Sequence, residues 1–255
     1  MTVCVGLLLK IMPPFFLPTF YLKTMGMLFC ILFLTVLPDS ARQEEPTADF
    51  SSNFRLGSVM NGSFAFLLLG IFCLSVGHIM IDNFMLQIMQ SVGGNSENLG
   101  IAVSVAALVE FPAMKSYRFL SSRFGNARIL VFSAFAWVIK NLLIFLASSP
   151  SVICAAETLQ FFSYALYTPG IVTYIGEKYP KNEQLCRLSL VGSAYTAGSF
   201  ASASIGGLLL DFFGVHSALL SIIPITLVGA LLFIAAVRRD CPSIECCSTS
   251  EKTNR

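Results

Sequence analysis

The sequence predicts an all-α polytopic membrane protein, a six-helix bundle preceded by one further spanning helix and a helix remnant. Three observations carry this. Of 255 residues, 55% are hydrophobic and 12% charged, whereas soluble domains carry about 25% charged residues. Apolar runs recur at the length of about 20 residues that crosses a hydrocarbon core of about 30 Å. Lys and Arg fall in every second connection, the pattern of a chain threaded back and forth with its basic loops on one side.

Residues 1–14 are apolar with Lys10 near the end and Pro13-Pro14 behind it. They lack the basic start and small-residue cleavage site of a signal peptide, and they read as the end of a helix whose beginning is missing. Residues 15–37 form a spanning helix in which Lys23 snorkels to the nearer surface. A polar linker, 38–58, sets Asp39, Glu44, Glu45 and Asp49 against Arg42 and Arg55.

The bundle occupies 59–237, with spans at 59–90, 99–114, 129–147, 152–175, 188–210 and 218–237, and 238–255 is the tail. Ser75, His78, Asp82, Asn83, Gln87 and Gln90 give the first span a polar face that cannot meet lipid. Pro169-Gly170 is expected to break the fourth span in its last third. The connections 91–98, 148–151 and 211–217 have no Lys or Arg; those at 115–128 and 178–187 are basic, and the tail opens with Arg238-Arg239. The linker, both basic loops and the tail are therefore placed in the cytoplasm, with the protein in the cell membrane.

A formal net charge of +2 gives no reason to expect a nucleic-acid partner. Of the cysteines only Cys241, Cys246 and Cys247 cluster, without a histidine, short of the four ligands of a structural zinc site. No metal and no cofactor is expected.

Glu110, Lys140 and Glu157 each interrupt an apolar run, at a cost of at least about 2.5–3.5 kcal/mol near the bilayer centre, so partners are expected. At 1.5 Å per residue, Lys140 lies about 10 Å and Glu157 about 8 Å below the same surface. Their helices are joined by a short connection, so a pair is within reach. Asp82 lies about 12 Å deep on the first helix. Glu110 sits near the midplane with Pro112 two positions on, and the carbonyl that proline frees is tolerated there only against protein or a wet cavity.

Two readings stand. In one, Glu157 is a protonatable group, Lys140 its switchable partner, and Glu110 or Asp82 a substrate or second proton ligand, because a mobile cation switches a buried acid's proton affinity. In the other, Lys140 and Glu157 are a fixed pair locking two helices. His78, four residues before Asp82, relays protons or is satisfied by a neighbour. Trp137, three before Lys140, is an aromatic platform for solute or a packing residue. Gly198, Ser202 and Gly206 recur every four residues, a spacing that lets helix backbones approach closely.

Residues 118–128 run Arg-Phe-Leu-Ser-Ser-Arg-Phe-Gly-Asn-Ala-Arg. This is similar to the cytoplasmic loop motif of the major facilitator superfamily, glycine, three residues, Asp-Arg-x-Gly and a basic pair. Arg123 and Gly125 match it, while Arg118 replaces its glycine and Ser122 its acid. Residues 206–214, Gly-Gly-Leu-Leu-Leu-Asp-Phe-Phe-Gly, match the ending common on that family's eleventh helix. With a sixth-helix-like span and a linker in front, the chain resembles the C-terminal half of such a transporter. The acid, base and acid on successive helices resemble the sugar:proton symporter branch and the related phenylpropionate permeases.

The resemblance implies secondary transport of a small solute of the sugar, aromatic acid or nucleoside class, with protons, by rocking of helix bundles. It implies a gating role for the Arg123–Gly125 loop and a separate N-terminal half as partner. The alternative is a non-transporting remnant of a split or truncated gene, needing that missing half. An enzyme is not expected: His78 with Asp82 is the sole candidate pair, His216 lies in an outer loop, and no Ser or Cys is tied to either.

Overall fold

The computed structural model describes Met25, Leu28 and residues 60–240. The remnant 1–14, the linker 38–58, the tail beyond 240 and the span 15–37, apart from the helical Met25 and Leu28, lie outside the described residues.

Among the described residues every regular element is a helix. Helix α1, Gly62–Ser91, has 30 residues, about 45 Å at 1.5 Å per residue and more than a bilayer core needs. It bends at Phe84 (φ −110°, ψ 17°). Helix α2, Ser96–Phe124, starts from a reciprocal cap. The Asn95 side chain accepts from the Glu97 and Asn98 amides at 3.1 and 3.0 Å, and Asn98 Oδ1 accepts from the Asn95 amide at 3.1 Å. Three otherwise orphaned amide donors are satisfied this way.

The sequence suggested a loop over 115–128. The structure instead continues α2 through Lys115, Arg118 and Arg123 to Phe124, because no helix breaker intervenes between Pro112 and Gly125. Gly125 alone joins α2 to α3, Asn126–Phe145, with φ 81° and ψ 143°, close to a region of backbone space reserved almost entirely for glycine.

Helix α4, Pro150–Glu157, opens with proline in its first turn, where the missing N–H costs nothing. A 3-10 turn, Thr158–Phe161, follows, then α5, Tyr164–Lys178. The break in this span is thus at 158–163 and not at Pro169-Gly170, which lie inside α5. A proline is accommodated within a spanning helix where neighbouring groups satisfy the backbone it frees.

Helix α6, Lys181–Asp240, has 60 residues and one non-helical residue, Gly214 (φ 77°, ψ 173°). At about 90 Å it is three times a bilayer core. The connection expected at 211–217 is reduced to that glycine, and His216, expected in a loop, is helical and stacks on Phe145 at 4.8 Å.

The two arms of α6 run in opposite directions along α1. Ascending α1, Gly70 meets Phe233 and Gly229, and Gly77 meets Ile222 and Thr226, so the second arm is antiparallel to it. Gly198 meets Phe72 and Ser75, and Gly206 meets Met80 and Phe84, so the first arm is parallel. These contacts leave no room for a Cβ, which makes α1 the centre of a three-helix sandwich held by close backbone approach. Of Gly198, Ser202 and Gly206, the two glycines face α1, and Ser202 between them is fully buried. Helix α2 is the opposite case: only Ala102, Ala113 and Tyr117 on it are buried.

Candidate functional site

Lys140 sits on the inner face of α3, 1% exposed. An ammonium there survives only if paired and fully hydrogen-bonded. Its Nζ donates to Glu157 Oε2 at 2.8 Å and to Gln160 Oε1 at 2.8 Å. Both acceptors come from the end of α4 and the turn after it. In a 3-10 turn residues three apart eclipse one another, so the tightening at 158–161 brings Glu157 and Gln160 into line before one cation. Gln160 Nε2 then donates to Glu110 Oε1 at 3.0 Å. Glu157, Lys140, Gln160 and Glu110 thereby form one polar chain across α4, α3 and α2.

This chain forms part of the wall of a recess of about 370 Å3, lined also by Asp82, Met85, Val103, Ala106 and Ala107. Three carboxyl groups, Asp82, Glu110 and Glu157, border it. Lys140 is the cation bonded to that wall, so acids outnumber the base. Glu157 Oε1 is buried without a hydrogen-bond partner.

The other residues singled out in the sequence lie apart from the polar chain. Asp82, with its side chain 49% exposed, is 3.5 Å from His78 Nε2. The His78 ring is buried between Trp137 and Tyr164, centroids 5.6 and 5.2 Å away. Trp137 is 1% exposed, lies against Tyr167 at 5.0 Å, and stands behind His78 with its indole N–H unpartnered. Arg123 is exposed at the end of α2 beside Gly125, and neither lines the recess.

Sequence reasoning missed Gln160. Its signal was an amide in an apolar run three residues after Glu157. It also missed two clusters at the opposite end of α3. Tyr117 donates to Asn126 Oδ1 at 2.6 Å, and Asn126 Nδ2 donates to the Gly170 carbonyl at 3.0 Å, tying α2, α3 and α5 together. Arg187, read as a loop residue, is buried in α6. It is bonded to Glu183 at 2.8 and 3.1 Å and lies over the rings of Tyr179 and Phe64, 3.7 and 4.7 Å from their centroids. Such cation–π stacking is favoured for the weakly hydrated guanidinium.

Comparisons with known proteins fit a chain of this kind. The maltose permease of Geobacillus stearothermophilus is 26% identical over 188 residues, covering 72% of this chain and 47% of the permease. The multi-drug resistance efflux pump PmrA of Streptococcus pneumoniae is 23% identical over 168 residues, 64% of this chain and 40% of the pump. The chain thus spans about half, or less, of the length of these curated relatives. Residues 67–253 match the family profile of the Major Facilitator Superfamily. With most of its length inside that match, and with apolar helices long enough to cross a bilayer several times, the chain belongs to the Major Facilitator Superfamily of multi-pass membrane transporters.

Proposed function

We propose that this chain is the C-terminal half of a secondary active transporter, six helices of which, 59–237, move a small solute together with protons across the cell membrane. The linker and tail face the cytoplasm in this reading, and a separate N-terminal half closes the other side of the recess. The observation that carries the proposal is the buried Lys140 ammonium, held by Glu157 and Gln160 at the wall of an acid-lined recess. Glu157 holds the coupling proton. With Lys140 bonded to it, the carboxylate is favoured; when rocking of the bundle draws the ammonium toward Gln160 alone, the carboxylate loses its counter-charge and takes up a proton. Glu110 and Asp82, on the open side, bind solute hydroxyls or a second proton. The solute class is sugar, aromatic acid or nucleoside.

The test uses vesicles containing the full chain with a co-expressed N-terminal half and labelled solutes of the three classes. Glu157→Gln is expected to keep solute exchange at equal concentrations and to lose uptake driven by a pH gradient. Gradient-driven uptake that survives Glu157→Gln removes the proton role and leaves a fixed pair locking helices.

A second reading is that this polypeptide alone does not transport. The open side of the recess and the coverage of about half of each relative favour it. Uptake by the chain expressed alone would exclude it.

A further inference from the structure

We propose that the solute of the recess carries a protonated amine and, within the sugar class, is an amino sugar. The inference rests on the transporter reading above and adds the charge of what is carried. It starts from the donors and acceptors on the wall. Lys140 gives hydrogens to Glu157 Oε2 and Gln160 Oε1, and Gln160 Nε2 gives one to Glu110 Oε1. Asp82 Oδ2 lies 3.5 Å from His78 Nε2. Among the described residues, one oxygen of each acid is left over: Asp82 Oδ1, Glu110 Oε2 and Glu157 Oε1. Glu157 Oε1 matters most, because the residue is only 3% exposed and this oxygen is buried without a partner, a costly state for an acceptor.

Against three uncommitted acceptors, the polar residues lining the recess keep one donor, the second hydrogen on Gln160 Nε2. Such a wall selects a ligand by what it donates. An ammonium has three donors and no acceptor, a hydroxyl has one donor, and a carboxylate has none. An aromatic acid would therefore set its carboxylate against Asp82 and Glu110 with almost nothing to receive it. The charge points the same way. Lys140 is the one lysine bonded to a wall of three carboxyl groups, and when Glu157 is protonated Asp82 and Glu110 still outnumber it. An ammonium beside them makes charge-assisted hydrogen bonds, roughly twice as strong as neutral ones. Met85, Val103, Ala106 and Ala107 complete the lining and give the carbons of a sugar ring an apolar surface.

The test measures binding of tritiated glucosamine to the purified full chain in lipid nanodiscs at neutral pH. The competitors are unlabelled glucosamine, phenylpropionate and N-acetylglucosamine, which keeps the ring and replaces the ammonium with a neutral amide. Glucosamine should displace the tracer at a concentration at least about tenfold below that of N-acetylglucosamine, the difference one charge-assisted hydrogen bond makes, and phenylpropionate should not displace it. Glu110→Gln keeps an oxygen for the Gln160 amide and loses the charge, so it should remove most of the gap between the two sugars. Glu110→Asp should retain most of it, which separates lost charge from misfolding. Equal displacement by the two sugars would overturn the proposal while leaving the recess a solute site. So would a gap that survives Glu110→Gln and Asp82→Asn combined, and displacement by phenylpropionate would reverse the sign of the charge. Absence of tracer binding overturns it too, and uptake of labelled neutral solutes driven by a pH gradient then shows whether the transporter reading falls with it.

Discussion

Ser75 and Gly198 share a space that holds one side chain: a Cβ on Gly198 would meet Ser75 Oγ and lie 2.8 Å from the Phe72 carbonyl oxygen. The Ser75 hydroxyl is already committed to that carbonyl at 2.8 Å and cannot turn away freely. Gly198→Ala should therefore cost about 1–3 kcal/mol through overpacking, read as a lower thermal midpoint in detergent. Gly192 lies on the same arm with open space around it. There the same change should stabilise by up to about 1 kcal/mol, since alanine is the better helix former. Equal responses at the two positions would mean that α1 and α6 are not in contact at Ser75.

Lys140 and Glu157 should behave as one unit. Breaking a buried pair by removing one partner costs about 3–5 kcal/mol because it strands a charge, while replacing both with apolar residues is often neutral. Lys140→Ala and Glu157→Ala should each lower yield and thermal stability, and the double variant should regain most of both. A double-mutant cycle with no coupling energy would separate the two residues.

Gln160 is the joint of the polar chain. Gln160→Leu removes an acceptor from buried Lys140, at about 1–3 kcal/mol, and the donor to half-buried Glu110. Glu110, released from its amide, should react faster with a hydrophobic carbodiimide. An unchanged labelling rate would show that Gln160 does not shield it.

Gly125 offers the opposite experiment to Gly198. No atom stands within 4 Å of the Cβ position, yet φ is 81°. Gly125→Ala should destabilise by about 1–3 kcal/mol through backbone strain alone. A stability equal to the parent's would mean that the α2–α3 joint relaxes without cost.

Topology is tested by introduced cysteines and an impermeant thiol reagent, in a background lacking the native ones. Asn95→Cys should label from outside intact cells and Arg123→Cys should not, if the basic connections are cytoplasmic. Arg123 is the suitable site because it is exposed, whereas Asn126 is buried and bonded to Tyr117 and Gly170. The reverse pattern would invert the proposed orientation.

How far the sequence was legible follows from what each residue costs in a membrane. Lys140 and Glu157 stood out because charge in an apolar run is expensive, and counting along two short-linked helices brought them to one level, 2.8 Å apart in the structure. Gln160 carries no charge, so nothing marked it beyond its spacing from Glu157. Lys115, Arg118 and Arg123 were read as a loop because charge and bilayer exit coincide, but a helix continues beyond the membrane until its backbone is interrupted, here by Gly125. By sequence, Pro169-Gly170 is the expected break in its span. The interruption falls instead at 158–163, where the 3-10 turn serves the Lys140 contacts.

The position of α1 between the arms of α6 sets the order in which the bundle can be completed. Ser63, at the start of α1, donates its hydroxyl hydrogen to the Ala236 carbonyl at 3.1 Å, across 173 residues of chain. At a synthesis rate of 5–20 residues per second, about 10–35 s separate the two ends of that bond. For most of that interval α1 has neither flanking arm, and for the rest of it only the first, whose Gly198 and Gly206 meet it. The last arm to be made is thus the one that seats the first helix. A chain stopped at Gly214 would lose more than its final helix: Gly70 would lose Gly229 and Phe233, and Gly77 would keep Asn141 but lose Ile222 and Thr226.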